Sequence, residues 1–146
     1  MKFLIINGPN INMLGVREPE IYGIHGYDDL VAKIEAFAAE NQSEAVCMQS
    51  NSEGELIDIL QRAPSDKFDA VVINPGAYTH YSYAIADALR ACPLLAIEVH
   101  LSNIYAREEF RKNSVTAPTC VGQISGLGFD GYLAAMTYFL QHDKKI

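Results

Sequence analysis

A glutamate and a histidine lie two residues apart at the end of an apolar run, in the segment "EVHLSN" (residues 98–103). Side chains two residues apart on a β-strand project to the same side, so Glu98 and His100 can meet if the run is a strand. A carboxylate beside an imidazole fixes the tautomer of the ring and favours its protonated form, which suits a general acid. A histidine that is merely hydrogen-bonded at a strand end fits the same spacing, so the pair alone leaves both interpretations open.

A second group of polar residues follows another apolar run, in the segment "NPGAYTHYS" (residues 74–82). It offers Asn74, His80 and the backbone N–H groups around Gly76. A helix is predicted to begin just after this segment, and its free N–H groups can bind an anion or polar oxygens. Proline and glycine also suit an ordinary tight turn, which is the structural alternative.

The basic segment "YAREEFRKNS" carries Arg107 and Arg111 at a spacing of four residues. If the segment is helical, both side chains lie on one face. Either guanidinium could then bind a carboxylate through two hydrogen bonds. Pairing with Glu108 and Glu109 on a solvated surface is the commoner outcome for such residues.

The stretch "REPEIYG" (residues 17–23) places charged and aromatic side chains in a long segment predicted to be irregular. Long loops in small domains are uncommon and often serve as lids or binding loops. Pro19 restricts the chain and Gly23 frees it, as a closing segment with a hinge requires. We therefore predict an active-site lid at about residues 16–26.

Composition and motifs exclude several classes of function. A net charge of −7 argues against nucleic acid as the main partner. No apolar run approaches the roughly 20 residues that span a membrane, and the amino terminus lacks a signal-peptide pattern, so a cytoplasmic location is expected. The four histidines show no metal-binding spacing, and "GPNINMLG" is not a phosphate-binding motif, so neither a metal nor a nucleotide cofactor is predicted.

Strand and helix patterns alternate five times along the 146 residues. This alternation predicts a single α/β domain, residues 1–146, with a doubly wound, five-stranded parallel sheet of three-layer αβα architecture. If the sheet is flavodoxin-like, its strand order is 2-1-3-4-5 and its switch point lies between strands 1 and 3. The predicted strands are residues 2–7, 44–49, 70–74, 94–99 and 119–125, and the predicted helices are residues 27–41, 53–62, 82–91 and 130–142.

Six blocks of the sequence together resemble the type II 3-dehydroquinate dehydratases, also called type II dehydroquinases. The blocks are "INGPNINMLGVREPEIYG", "QSNSEGELID", "INPGAYTH", "IEVHLSN", "AREEF" and "GLGFDGY". They occur in order between residue 3 and about residue 138. The resemblance implies a cofactor-free hydro-lyase that converts 3-dehydroquinate to 3-dehydroshikimate by anti elimination of water through an enol or enolate.

The resemblance also implies a catalytic role for each matching position. Tyr22 would be the base that removes a proton from C2, with Arg17 beside it to lower its pKa. Asn10 would hold the water that stabilises the enolate oxygen. His100 would be the general acid for the C1 hydroxyl, oriented by Glu98.

Further positions are implied to bind the substrate, and Asn74 would in addition assist the general acid. The implied binding residues are Asn74, Gly76, His80, Leu101, Ser102 and Arg111. Asp87 matches a residue that reaches the site of a neighbouring subunit. Members of the family assemble as trimers that pack into dodecamers, so a homo-oligomer is expected.

Three alternatives remain beside this interpretation. A non-catalytic, flavodoxin-like electron carrier would need a loop rich in serine and threonine after strand 1, and "GPNINMLG" contains neither. A receiver domain would need acidic residues after strands 1 and 3, where Asn7 and Asn74 stand. A catabolic role in quinate breakdown uses the same reaction as aromatic amino-acid synthesis, and the two share one sequence pattern.

Overall fold

Five parallel strands form one sheet in the order β2-β1-β3-β4-β5. The computed structural model describes residues 1–16, 18–22 and 24–142, and the side chain of Tyr22 lies outside this description. The strands are β1 (Lys2–Asn7), β2 (Glu44–Gln49), β3 (Ala70–Asn74), β4 (Leu95–His100) and β5 (Gly122–Ser125). The predicted strand order is confirmed, and the switch point lies between β1 and β3.

Helices cover both faces of the sheet. They are α1 (Pro19–Tyr22), α2 (Tyr27–Glu40), α3 (Glu53–Arg62), α4 (Tyr83–Ala91) and α5 (Asp130–Gln141). The apolar sides of α2 and α5 pack on one face, and those of α3 and α4 pack on the other. Serine side chains cap the amino termini of α3 and α4. The hydroxyl of Ser52 accepts a hydrogen bond from Glu55 N, and that of Ser82 accepts one from Ile85 N. The four longer helices match the predicted ones to within one residue at each end.

The central strands are buried on both faces, which explains their unbroken apolar sequences. Phe3 and Ile5 of β1 belong to the cluster under α2 and α5, whereas Leu4 and Ile6 belong to the cluster under α3 and α4. All four are fully buried. A strand with helices on both sides cannot alternate apolar and polar residues, and this is the pattern that predicted a parallel sheet.

Several predicted boundaries are wrong, each for a local reason. The segment predicted to be irregular contains α1, which Pro19 begins. β4 includes His100 as its last residue, so the histidine does not follow the strand but belongs to it. β5 begins at Gly122 and not at Thr119, because Ala117–Thr119 forms a 3₁₀ turn that contains a proline.

Candidate active site

A pocket opens beyond the carboxyl ends of β1, β3 and β4, at the rim where the sequence predicted it. It encloses about 650 Å³, including the part open to solvent. Residues of three loops line it. They follow β1 (9–14, except 12), β3 (76, 77 and 80) and β4 (101, 102, 104, 107 and 111). Asn74 and His100, the last residues of β3 and β4, complete the lining.

Two glycines let the loops after β1 and β3 lie directly against each other. A Cβ atom at Gly8 would stand 2.4 Å from the carbonyl oxygen of Pro75, a distance that real Cβ atoms do not adopt. Gly76 has φ +61°, which favours glycine, and a Cβ there would stand 3.0 Å from the carbonyl oxygen of Pro9. Gly8 N also donates to the carbonyl oxygen of Asn74 at 2.7 Å. These contacts hold the floor of the pocket in one arrangement.

Glu98 and His100 meet as the period of the strand predicts. Nε2 of His100 lies 2.7 Å from Oε1 of Glu98, and the two side chains are 6% and 0% exposed. The ionised carboxylate only accepts, so Nε2 donates to it. Nδ1 has no hydrogen-bond partner among the residues that the structure describes. His100 lines the pocket, which makes Nδ1 the ring atom that can exchange a proton with a ligand.

Four further donors surround the carboxylate of Glu98. Oε1 accepts from Thr79 Oγ1 at 2.8 Å, Ser114 Oγ at 3.0 Å and Gln123 Nε2 at 2.9 Å, and Oε2 accepts from Thr116 Oγ1. Burial by itself raises the pKa of Glu98. The hydrogen bond and charge of His100, with the hydrogen bonds from Thr116 and Gln123, outweigh burial and hold that pKa below its ordinary value. Glu98 is therefore an ionised partner for His100.

Thr116→Val tests the role of these donors, because it removes the hydroxyl that serves Oε2. We expect the variant to unfold at pH 7 with a free energy lower by about 1.5–3 kcal/mol, the usual worth of a hydrogen bond to a charged group. Because the folded pKa is lowered, ionised Glu98 stabilises the fold above the ordinary carboxyl pKa of about 4.3, and this contribution is lost as the pH falls through the folded pKa. The deficit of the variant should therefore shrink on acidification.

Urea unfolding of both proteins at pH 3.5, 5 and 7 measures this effect. Thr137→Val is the matched control, since its hydroxyl donates to the backbone oxygen of Leu133 at 2.8 Å on α5 and contacts no carboxylate. The control should show a deficit that does not change with pH. A pH-independent deficit in Thr116→Val would show that this hydroxyl does not act through the charge of Glu98.

His80 presents a neutral ring to the pocket. Its Nδ1 lies 2.8 Å from the carbonyl oxygen of Asn113, so Nδ1 carries the proton and Nε2 is an acceptor. Burial lowers the pKa of His80, and the charges of His100 and Arg111 lower it further, although the bond to Asn113 and the charge of Glu98 raise it. His80 is thus suited to accept a hydrogen bond from a ligand hydroxyl.

Arg107 and Arg111 of the basic segment both line the pocket, but they do not lie on successive turns of one helix. Two 3₁₀ turns, Ile104–Ala106 and Glu109–Lys112, flank an extended Arg107. The segment is therefore not one helix, and the condition under which the two arginines would share a helical face is not met. Arg111 pairs with Glu108 as the surface alternative expected, yet the side chains of Arg107 and Arg111 are only 11% and 17% exposed. The pocket thus receives two cationic groups that a carboxylate can reach.

The remaining predicted positions divide into three groups. Asn10, Asn74, Gly76, Leu101 and Ser102 line the pocket. Asp87 does not, since it lies on α4 with an exposed side chain and pairs with Arg90 at 2.7 Å. Arg17 and the side chain of Tyr22 lie outside the described residues.

An ion pair connects the predicted lid to the pocket. Oε2 of Glu18 lies 3.8 Å from Nη2 of Arg107, which lines the pocket. Glu18 directly precedes α1, so this ion pair brings the start of that helix to the pocket rim.

The sequence did not single out the donors around Glu98. Thr79 lies inside the block "INPGAYTH", which was its only signal. Ser114 closes the basic segment "YAREEFRKNS", which was singled out for its arginines, and Thr116 and Gln123 come from segments with no motif of their own. Within the described part of the chain, no group of three or more histidine, cysteine or acidic residues is placed to hold a metal ion. In the same part, no helix is long and apolar enough to cross a membrane.

Comparison with known proteins gives a consistent family. The family described as "Dehydroquinase class II" matches residues 1–140. A 3-dehydroquinate dehydratase of Lachnoclostridium phytofermentans is 59% identical over 136 residues, 93% of this chain and 94% of that protein. One of Clostridium perfringens is 52% identical over 144 residues, 99% of both chains. The crystal structure of a type II dehydroquinase from Butyrivibrio crossotus matches with a TM-score of 0.94 at 52% identity, covering 97% of each chain. With the fold and pocket described above, these matches show that the chain belongs to the class II dehydroquinase family.

Proposed function

We propose that this chain is a 3-dehydroquinate dehydratase, a hydro-lyase that converts 3-dehydroquinate to 3-dehydroshikimate. The observation that carries the proposal is the buried Glu98–His100 pair at the wall of a pocket that also receives two arginines. A proton donor and a carboxylate-binding cation are the groups that dehydration of a hydroxy acid requires. Membership of the class II dehydroquinase family supports the same reaction.

The geometry supports a specific role for each group in the elimination. A base removes the C2 proton, and the electrons form an enol or enolate. His100 then donates the proton on Nδ1 to the C1 hydroxyl, which leaves as water. The charge that His100 carries before this step is balanced by Glu98, 2.7 Å away. Asn10 orients water at the enolate oxygen, and Arg107 or Arg111 holds the substrate carboxylate.

The base in this scheme is Tyr22, with Arg17 lowering its pKa. Support comes from the position of α1, whose last residue is Tyr22 and whose start the Glu18–Arg107 ion pair holds beside the pocket. Residues about 16–26 act as a lid on the single domain. Val16 and Ile24 are 76% and 81% exposed, and closure over a substrate would cover such apolar groups.

The proposal also covers the location, the pathway and the oligomeric state of the enzyme. It works in the cytoplasm, in the shikimate pathway that leads to aromatic amino acids, as a homo-oligomer of trimers packed into a dodecamer. Asp87 reaches the site of a neighbouring subunit. Exposed aromatic side chains on and beside α4, Tyr81 and Tyr83, support burial of this surface by another copy.

A spectrophotometric assay tests the function directly. The product is a conjugated enone, so purified protein in EDTA, without added nucleotide, should produce a rise in near-ultraviolet absorbance from 3-dehydroquinate. Light scattering on the same sample shows whether the protein is a folded oligomer. No absorbance change at micromolar concentrations of a folded oligomer would contradict the assignment. Activity that disappears in EDTA and returns with a metal would contradict the cofactor-free mechanism.

A further inference from the structure

A fully buried tyrosine connects helix α5 to the floor of the pocket. Tyr132 lies in the core between α5 and the sheet, where most neighbours are apolar. Its hydroxyl reaches the ends of the two strands at the switch point. Oη lies 2.6 Å from Oδ1 of Asn7 on β1 and 2.9 Å from Nδ2 of Asn74 on β3. Tyr132 does not line the pocket, but Asn74 does.

The hydrogen bonds among Tyr132, Asn7 and Asn74 run in one direction. A phenol has a single hydrogen, and Oδ1 of Asn7 can only accept, so Tyr132 donates to Asn7. The phenol oxygen must then accept from Nδ2 of Asn74. Burial raises the pKa of Tyr132 well above its ordinary value, although the hydrogen bond from Asn74 opposes this, so the phenol keeps its hydrogen at neutral pH.

This arrangement fixes the direction of the Asn74 amide. Its nitrogen faces Tyr132, and its oxygen accepts from the backbone N–H of Gly76 at 3.1 Å. One of the two amide hydrogens is used by Tyr132, so the other is the hydrogen that Asn74 can offer to a ligand. An amide turned by 180° would present its oxygen to Tyr132 and lose the bond from Gly76.

We propose that Tyr132 is a positioning residue of the dehydration reaction, whose hydroxyl holds the Asn74 amide as a hydrogen-bond donor towards the substrate. This inference rests on the proposed function. An amide N–H directed at a departing hydroxyl stabilises the negative charge that develops on its oxygen before the general acid protonates it. The oxygen end of the same amide would oppose that charge. The tyrosine thus acts on the reaction from outside the pocket, through Asn74.

Tyr132→Phe removes this control and keeps the ring that fills the core. We expect kcat to fall about tenfold, which corresponds to about 1.4 kcal/mol of transition-state stabilisation, while KM changes less than about threefold. The wild-type enzyme is assayed in parallel. A wild type without dehydratase activity would contradict the proposed function, whereas a loss seen in the variant alone concerns the role of Tyr132. Ile59→Val is the control, since it weakens the core under α3 on the opposite face of the sheet and should leave kcat unchanged.

Combination with Asn74→Ala separates positioning from a purely structural role. If Tyr132 acts through Asn74, adding Tyr132→Phe to Asn74→Ala should lower kcat by less than about twofold further, because the coupled effects do not add. Should Tyr132→Phe fail to fold, Asn7→Ala provides the same test, since the phenol is then free to donate to an inverted amide and kcat should again fall. Unchanged kcat in the folded single variant, or full multiplication of the two effects in the double variant, would overturn the proposal.

Discussion

Replacing His100 with alanine is expected to lower kcat by about 10³–10⁴-fold, the upper part of the range for loss of a general acid. The structure supports so large an effect because a buried carboxylate, Glu98, holds the His100 ring at the pocket wall. No other ionisable donor in the described lining is held by a buried carboxylate. In the described lining, the other histidine, His80, is neutral and hydrogen-bonded to a backbone oxygen. Without an acid, the C1 hydroxyl would have to leave as hydroxide, and hydroxide is a far poorer leaving group than water.

Steady-state kinetics with 3-dehydroquinate measures this loss, and KM should change little because His100 acts in the transition state. Removal of the imidazole also leaves Glu98 buried without its partner, so the folded state of the variant must be confirmed by circular dichroism. His142→Ala is a suitable control, since this exposed histidine lies just after α5, outside the pocket lining, where its ring stacks on Tyr138 and its Nδ1 lies 2.7 Å from the backbone oxygen of Tyr138. A folded His100→Ala enzyme with kcat within tenfold of wild type would remove His100 from the role of acid.

The fold could be predicted because its signals are local. The unbroken apolar sequence of β1 reports burial on both faces, and helix patterns lie between the strands. The errors are also local. A 3₁₀ turn takes the first residue of the predicted fifth strand, and α1 begins at a proline within a segment predicted to be irregular.

The site was predictable only where its residues share one strand or one loop. Glu98 and His100 are two residues apart on β4, so the period of the strand sufficed. Thr79, Thr116 and Gln123 reach Glu98 from three separate segments, and their meeting depends on how the loops pack beyond the sheet. The same is true of Tyr132, whose contact with Asn7 joins positions 125 residues apart. No spacing rule reports such contacts.

The described lining of the pocket limits which residues could compete with Tyr22, the proposed base. That lining includes no aspartate or glutamate, so the carboxylates that often serve as bases are not among its residues. His80 is the competing base, because its ring is neutral and Nε2 is an acceptor. Tyr22 can serve only as tyrosinate, which requires its pKa to fall from about 10 to near 7, or about 4 kcal/mol of preference for the charged form. Arg17, five residues earlier, is the cation proposed to supply it.

Tyr22→Phe distinguishes the two bases, and we expect it to lower kcat by about 10³–10⁴-fold, whereas His80→Gln should mainly raise KM and lower kcat by less than about tenfold. Phenylalanine removes only the phenol oxygen, which is the atom that takes the proton in the proposed mechanism. Isothermal titration of the inactive variant with 3-dehydroquinate should give a Kd within about threefold of the wild-type KM, because a base that acts on a C–H bond contributes little to ground-state binding. Tyr138→Phe, a change of the same kind on α5 outside the pocket lining, is the control and should be fully active.

If His80→Gln instead shows the large loss in kcat and Tyr22→Phe remains near wild type, the proton from C2 goes to His80. The segment of residues 16–26 then covers the site without supplying a base.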